Sequence, residues 1–202
     1  TPQGPYMETT TGSAVDVAVV GGVAYVADSS AVAVIGVGTP TDPDAPSYSD
    51  PCGAESVALF RDWAIVGDSL SGDVSIIDTA DANLPVVQTW SGPDEVMGVS
   101  VDGNYCYLGA LEQGLAIRDL ANPLEPAAPV NRATTIDYDC GSAVAVADGH
   151  AFVADGYSGL AVIDVRVPTT PGAPVHEATA SSALDVSVGG GYAYLADYDA
   201  GL

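Results

Sequence analysis

The sequence predicts an all-β fold, an array of four-stranded antiparallel blades of about 42 residues each. Three observations carry that prediction. The first is a repeat. "DVAVVGGVAYVAD" starts at Asp16 and returns as "SVALFRDWAIVGD" from Ser56, "GVSVDGNYCYLGA" from Gly98, "AVAVADGHAFVAD" from Ala143 and "DVSVGGGYAYLAD" from Asp185. The steps between starts are 40, 42, 45 and 42 residues. A fixed period of this size marks a repeat architecture. The second is composition: 48% of the residues are hydrophobic, with 23 Gly and 14 Pro, which suits strands and tight turns. The third is that the apolar runs are short and nearly continuous, as in strands covered on both faces.

Each repeat reads as four strands in order. Val17 to Val20 is the first apolar run. Gly21-Gly22, Arg61-Asp62, Gly103-Asn104, Asp148-Gly149 and Gly190-Gly191 hold the same motif place after it. All but the Arg-Asp pair are rich in residues that tolerate positive φ, so a hairpin turn is expected there. The second run carries a large residue at one fixed place: Tyr25, Ile65, Tyr107, Phe152 and Tyr194. A third run follows as "VAVIGV" from Val32, "DVSIIDT" from Asp73, "LAIRDL" from Leu115 and "LAVIDV" from Leu160. Proline-rich links such as "GTPTDPDAP" and "RVPTTPGAP" come next, because Pro cannot join the interior of a ladder. A more polar fourth run, "VVQTW" or "PVHEAT", suits an outer edge.

Strands are therefore expected near 16–20, 23–27, 32–37, 56–60, 63–67, 74–78, 98–101, 105–109, 115–120, 143–147, 150–154, 160–165, 185–188 and 192–196, with negligible helix. Four antiparallel strands with two apolar faces match the blade of a β-propeller, in which neighbouring blades cover each other. The expected inter-blade core is Val17, Val19, Tyr25, Val57, Ile65, Val99, Tyr107, Val144, Phe152, Val162, Val186 and Tyr194. Residues 1–202 form one array, with repeats starting near 16, 56, 98, 143 and 185. "GPYMETTTGSA" resembles a fourth strand with nothing ahead of it, and "YLADYDAGL" stops two residues into a third. The reading is four full repeats plus partial ones at both ends: a fragment of a longer propeller, or an array that another chain completes.

These residues resemble the LVIVD-repeat family of β-propellers and, more loosely, YVTN-type propellers. "AFVADGYSGLAVIDVRVPTTPGAPV", Ala151 to Val175, matches best. The third copy departs most, with Ala110 in place of the closing Asp and Arg118-Asp119 in place of Ile-Asp. The resemblance implies a bacterial or archaeal protein, secreted or attached to the cell surface. It implies no ligand.

The formal net charge is −23, from 27 acids against four Arg, with no Lys. Nucleic acid is excluded as a partner, because binding phosphate needs cationic side chains to release counterions. An anionic membrane surface is disfavoured for the same reason. No run of apolar residues is long enough to span a bilayer.

No catalytic constellation is visible, and the reading is that the chain is not an enzyme. His150 and His176 are expected as surface imidazoles. Asp28, Asp68, Asp155 and Asp197 end second strands, and Asp78, Asp119 and Asp164 end third strands. Each is expected to cap its turn by accepting local backbone N–H groups. The competing reading is calcium, with Asp42 and Asp44, Asp137 and Asp139, and Asp197 and Asp199 as candidate ligands. Calcium needs six to eight oxygens, and no EF-hand spacing occurs. No other cofactor is expected. Of the three cysteines, Cys106 reads as a small buried hydrophobe. Cys52 and Cys140 each precede Gly on a link into an innermost strand, as free thiols or as a disulfide across the propeller face. The function expected is a non-catalytic extracellular or cell-surface module, structural or binding other proteins or copies of itself. The alternative is a carbohydrate-binding, small-ligand-binding or enzymatic propeller with its site at the central channel.

Overall fold

A computed structural model describes residues 10–38, 47–49, 53–81, 83–92, 94–111, 113–125, 128–132 and 143–201. The first blade consists of β1 (Asp16–Val20), β2 (Val23–Ala27), β3 (Val32–Gly36) and β4 (Ser47–Ser49). The second is β5 (Ala54–Phe60), β6 (Trp63–Asp68), β7 (Asp73–Asp78) and β8 (Val86–Ser91). The third is β9 (Val96–Asp102), β10 (Tyr105–Ala110), β11 (Gly114–Asp119) and β12 (Val130–Arg132). The fourth is β13 (Val144–Ala147), β14 (His150–Ala154), β15 (Leu160–Asp164) and β16 (Val175–Glu177). A fifth sheet, β17 (Ala183–Gly189) with β18 (Tyr192–Asp197), has two strands among the described residues. Every blade is an antiparallel meander in sequence order, with β1, β5, β9, β13 and β17 as the first strands. The one helical element among the described residues is a single 3-10 turn, Tyr198–Ala200.

The turns are made as the sequence expects. Gly21 and Gly22 take φ +57° and +81°, and Gly190 and Gly191 take +60° and +80°. The Arg61-Asp62 pair makes the same turn without glycine, with Arg61 at φ +55°. The Arg61 guanidinium lies 4.5 Å over the Phe60 ring and donates to Asn104 Oδ1 in the next blade's turn at 3.1 Å. Those contacts offset the cost of a side chain in left-handed backbone.

Blades pack face to face, and each junction has two unlike sides. Between the first and second blades, Tyr25 and Val32 meet Val57, Ala64 and Val66. Between the second and third, Ile65, Val74 and Ile76 meet Val99, Cys106 and Leu108. Between the third and fourth, Tyr107 and Ile117 meet Val144, Ala151 and Val153. Between the fourth and fifth, Phe152 and Leu160 meet Val186 and Leu195. The large second-strand residue thus always points toward the following blade, and the first-strand valine toward the preceding one.

Three expected core residues, Val17, Val19 and Tyr194, are instead exposed. The reason is their place in the array. Val17 and Val19 point where a preceding blade would lie, and Tyr194 where a following one would. Phe152 and Val162 are half-buried, facing a sheet that has two strands among the described residues.

Candidate functional site

The first strands converge on a cavity of about 360 Å³, lined among others by Asp16, Glu55, Ser56, Met97, Val144 and Asp185. Its wall is held by a relay of hydrogen bonds from blade to blade. Asp16 Oδ2 accepts the Ser56 hydroxyl and the Val57 N–H, both at 2.8 Å. Ser56 Oγ in turn accepts the Val99 N–H at 3.0 Å. Ser56 is buried, and its hydroxyl is used in both directions, so it is a staple rather than a free nucleophile. Asp16, Ser56, Gly98, Ala143 and Asp185 share one motif place at the head of their repeats. That place ends in Gly and Ala in the third and fourth blades, where the side-chain relay cannot continue. Asp185 is exposed to the cavity, and its Oδ1 accepts its own neighbour's N–H, from Val186, at 2.8 Å.

A second set of polar residues sits where second strands end. Asp28 and Asp68 are buried. Asp28 Oδ1 accepts N–H groups of Ser30 at 3.1 Å and Ala31 at 2.7 Å, and Oδ2 accepts Gly12 N–H at 3.2 Å. Burial pushes the Asp28 carboxyl up, but the Ser30 hydroxyl and the N–H groups of Gly12, Ala31 and Ser30 together hold it below the ordinary value. Asp68 repeats the pattern on Leu70 and Ser71. Asp197 reaches back instead, accepting Ala180 N–H at 3.0 Å and Ser181 N–H at 3.1 Å on the link that enters its hairpin. Asp78 and Asp119 cap their turns through the N–H two residues on. Asp164 does the same with Arg166 and also pairs with its guanidinium, which holds the carboxyl well below its ordinary value.

Asp155 departs from simple capping. Its Oδ2 lies 2.9 Å from His176 Nε2, so the fourth strand of that blade is clasped to the end of the second. His176 is therefore a partnered, part-buried group rather than a free surface imidazole. His150 rests at a turn, with Nδ1 3.0 Å from the Asp148 carbonyl.

Between the second and third blades, Arg118 lies 5.3 Å over the Trp90 ring and donates to the Ser91 carbonyl. Trp90 Nε1 donates to the Pro123 carbonyl at 2.9 Å. Trp90 belongs to an outer strand read as polar, yet it is buried. Beside it Cys106 is fully buried, and burial pushes its thiol up to about 12 despite the nearby Arg118 charge. Burial likewise pushes the Tyr107 phenol up to about 12.

Of the candidate calcium ligands, Asp197 is spent on backbone N–H groups and Asp199 is exposed on the 3-10 turn. Among the described residues no group of His, Cys, Asp and Glu is arranged to hold a metal ion. Asp42, Asp44, Asp137, Asp139, Cys52 and Cys140 lie outside the described residues. The axial relay and the Arg118–Trp90 contact were not read from the sequence. The first had a signal, the alternation of Asp, Ser, Gly, Ala and Asp at one motif place; the second had only the departure of Arg118 from the repeat.

The model of the LVIVD repeat matches residues 11–44, 94–132, 141–174 and 180–202, well over half of the chain. The second blade, though built like its neighbours, falls in the unmatched stretch. The third repeat, which departs most from the pattern at Ala110 and Arg118, is matched. No curated protein is matched by sequence. Among solved structures, a functionally unknown protein from Desulfotomaculum acetoxidans superposes with TM-score 0.74 at 11% identity, covering 94% of this chain and 64% of that one. Hydrazine synthase of Kuenenia stuttgartiensis superposes with TM-score 0.62 at 15% identity, over 92% of this chain and 54% of that one. Apo AztD from Citrobacter koseri gives TM-score 0.56 at 15% identity, over 84% and 48%. The chain thus spans about half to two thirds of the length of these neighbours. At such identities the likeness is one of fold. No helix among the described residues is long and apolar enough to cross a membrane.

Proposed function

Because the chain belongs to the LVIVD repeat family, we propose that it is a non-catalytic extracellular or cell-surface module that acts by binding other proteins or copies of itself. The observation that carries this reading is the use made of polar side chains around the axis. Asp16 and Ser56, the pair that most resembles a nucleophile with its base, are consumed in joining three blades. A hydroxyl that must accept a backbone N–H to keep the fold is poorly placed to attack a substrate. The repeated aspartates likewise serve turns and links. The charge of −23 supports a role outside any nucleic-acid or anionic-membrane setting and keeps single copies soluble.

The test is immunolabelling of intact and permeabilised cells of the source organism, since a chain with no Lys offers no side-chain amine to surface reagents. Labelling of intact cells, or recovery from the medium, is the expected result. Labelling only after permeabilisation would remove the surface assignment.

A second reading keeps the axial cavity as a small-ligand or enzymatic site. The cavity volume and the exposed Asp185 favour it, with Glu55 on the same wall. Thermal-shift measurements with neutral sugars, amines and calcium decide between the two. A shift abolished by Asp185→Asn with Glu55→Gln would support the cavity reading, and no shift is expected for the module.

A further inference from the structure

We propose that β8, the outer strand of the second blade, is a docking edge for an extended cationic segment of a partner protein, which adds to the blade as a fifth strand. The proposal rests on the interaction-module reading and names its surface and the chemistry of its partner.

The outer strands differ in how they are guarded. An outer strand is a row of backbone groups open to pairing, which proteins blunt by keeping the strand short or by placing charge or Pro on it. β4, β12 and β16 have three residues each, and β8 has six. β12 ends on Arg132 and β16 on Glu177. β8 reads Val-Val-Gln-Thr-Trp-Ser, with neither charge nor Pro. Its Val86, Val87, Thr89 and Ser91 are exposed. The second blade has a blade packed on each face, so this exposure belongs to its outer edge and not to either end of the array. It is also the blade that the LVIVD repeat model leaves unmatched.

The strand is held ready for a partner. It pairs with β7 from Asp73 opposite Ser91 to Ile77 opposite Val86. The buried Trp90 anchors it through its bond to the Pro123 carbonyl. The Ser91 carbonyl accepts Arg118, and the Thr89 carbonyl accepts the Gln88 side-chain amide at 3.4 Å. Residues two apart in a strand turn their backbone groups the same way. Side chains reach both of these carbonyls, so Thr89 and Ser91 direct them away from β7. Arg118 closes the row at Ser91. Gln88 supplies only a long bond, which a backbone N–H of an added strand replaces. A bulge at Val87 bends the other end of the strand and leaves Val86 and Val87 each 38% exposed. In strand addition the main-chain bonds give affinity, and side-chain places such as these valines give specificity.

Charge selects the occupant. Asp78, whose N–H meets the Pro85 carbonyl, and Asp81 border the Val86 end. Asp73 lies opposite Ser91, and Asp94 and Glu95 follow it in the chain. Asp81 and Glu95 are exposed. A second copy would bring the same acids, and its own charge of −23, against them. An extended segment with β-branched residues at its centre and Lys or Arg at its ends meets both the valines and the acids.

Fluorescence anisotropy tests this with a labelled peptide of alternating Thr and Val, long enough to span β8 and carrying Lys at both ends. Binding is expected, and it should weaken as salt screens the exposed charges. Amide exchange should slow within β8 and not within β12 or β16. A peptide with Glu in place of Lys, and one with a central Pro that lacks a ladder N–H, should each bind far more weakly. Thr89→Lys places a guard charge on the edge and should weaken binding of the Lys-ended peptide several-fold. Asp81→Asn with Glu95→Gln should weaken it about threefold and flatten its salt dependence, as loss of exposed ion pairs does. Both variants lie at exposed positions and should keep the circular dichroism of the parent. No binding at any salt, equal binding of the Pro-centred peptide, or Thr89→Lys that binds as the parent does would each overturn the docking edge. Equal binding of the Glu-ended peptide, or self-association of the parent that Thr89→Lys abolishes, would overturn the cationic partner. A chain that binds no peptide yet labels intact cells sinks only this edge. One that binds the peptide but is found only inside cells sinks the surface reading instead.

Discussion

Ser56 Oγ stands 2.8 Å from Asp16 Oδ2 and so ties the first strands of two neighbouring blades together. The same oxygen accepts the Val99 N–H of the next blade. One buried hydroxyl thus sets the spacing of three blades around the axis. In Ser56→Ala the Asp16 carboxylate loses a donor, and the buried Val99 N–H loses its acceptor. A loss of about 1–3 kcal/mol in urea unfolding is expected, the usual cost of a buried group left unsatisfied. A change under about 0.5 kcal/mol, the scatter of surface substitutions, would show that the relay carries no stability.

Val99 and Val17 hold one motif place, but only Val99 has a blade packed over it. Val99→Ala should cost about 2 kcal/mol, for two methyl groups withdrawn from a packed junction. Val17→Ala should fall within about 0.5 kcal/mol of the parent. Phe152→Ala should fall below the roughly 3–5 kcal/mol of a fully buried aromatic, since Phe152 is half-buried. Equal losses at Val17 and Val99 in chemical denaturation would contradict the exposure pattern.

These pairs show what a repeat lets a reader see. Strand order, turns and the inward places of Tyr25, Ile65 and Tyr107 follow from local patterns that the chain repeats, so they are readable from one copy. Whether a given place is covered depends on having a neighbour, which the repeat does not encode; hence Val17, Val19 and Tyr194 were misplaced. The sites that break the repeat were hidden for another reason. Arg118 meets Trp90 across two blades, and His176 meets Asp155 across two strands of one. Neither pairing leaves a spacing in sequence. Asp197 was expected to cap its own turn, but its carboxylate accepts N–H groups of the preceding link instead.

Cys106 lies at the centre of the junction between the second and third blades, and burial raises its thiol to about 12. The thiolate is the reactive form. In a Cys52→Ser, Cys140→Ser background, a disulfide reagent at about pH 8, near the ordinary thiol value, should leave Cys106 unmodified until urea unfolds the chain. Stoichiometric labelling in the folded state would mean that the junction opens readily. Arg118→Met should keep the thiol protected, because packing over Trp90 rather than charge closes that side.

Asp28 gives the acid side of the stability curve a specific origin. Burial opposes its ionised form, but the Ser30 hydroxyl and the surrounding N–H groups favour it more, so the folded value lies below the unfolded one. For a carboxyl lowered on folding, the stabilisation is complete above the unfolded value of about 3.9. It is lost as pH falls from there through the lower folded value. Asp28→Asn keeps an acceptor for Ser30 and Ala31 but cannot carry the charge. The parent should therefore exceed the variant in urea midpoint most near neutral pH, and the gap should narrow once pH drops below about 4. Relief of repulsion among the remaining acids is common to both chains and cancels in the difference. A gap that stays constant from neutral pH down to about 2.5, well under the unfolded value, would mean that the Asp28 charge contributes nothing and that its hydrogen bonds act through the neutral acceptor alone.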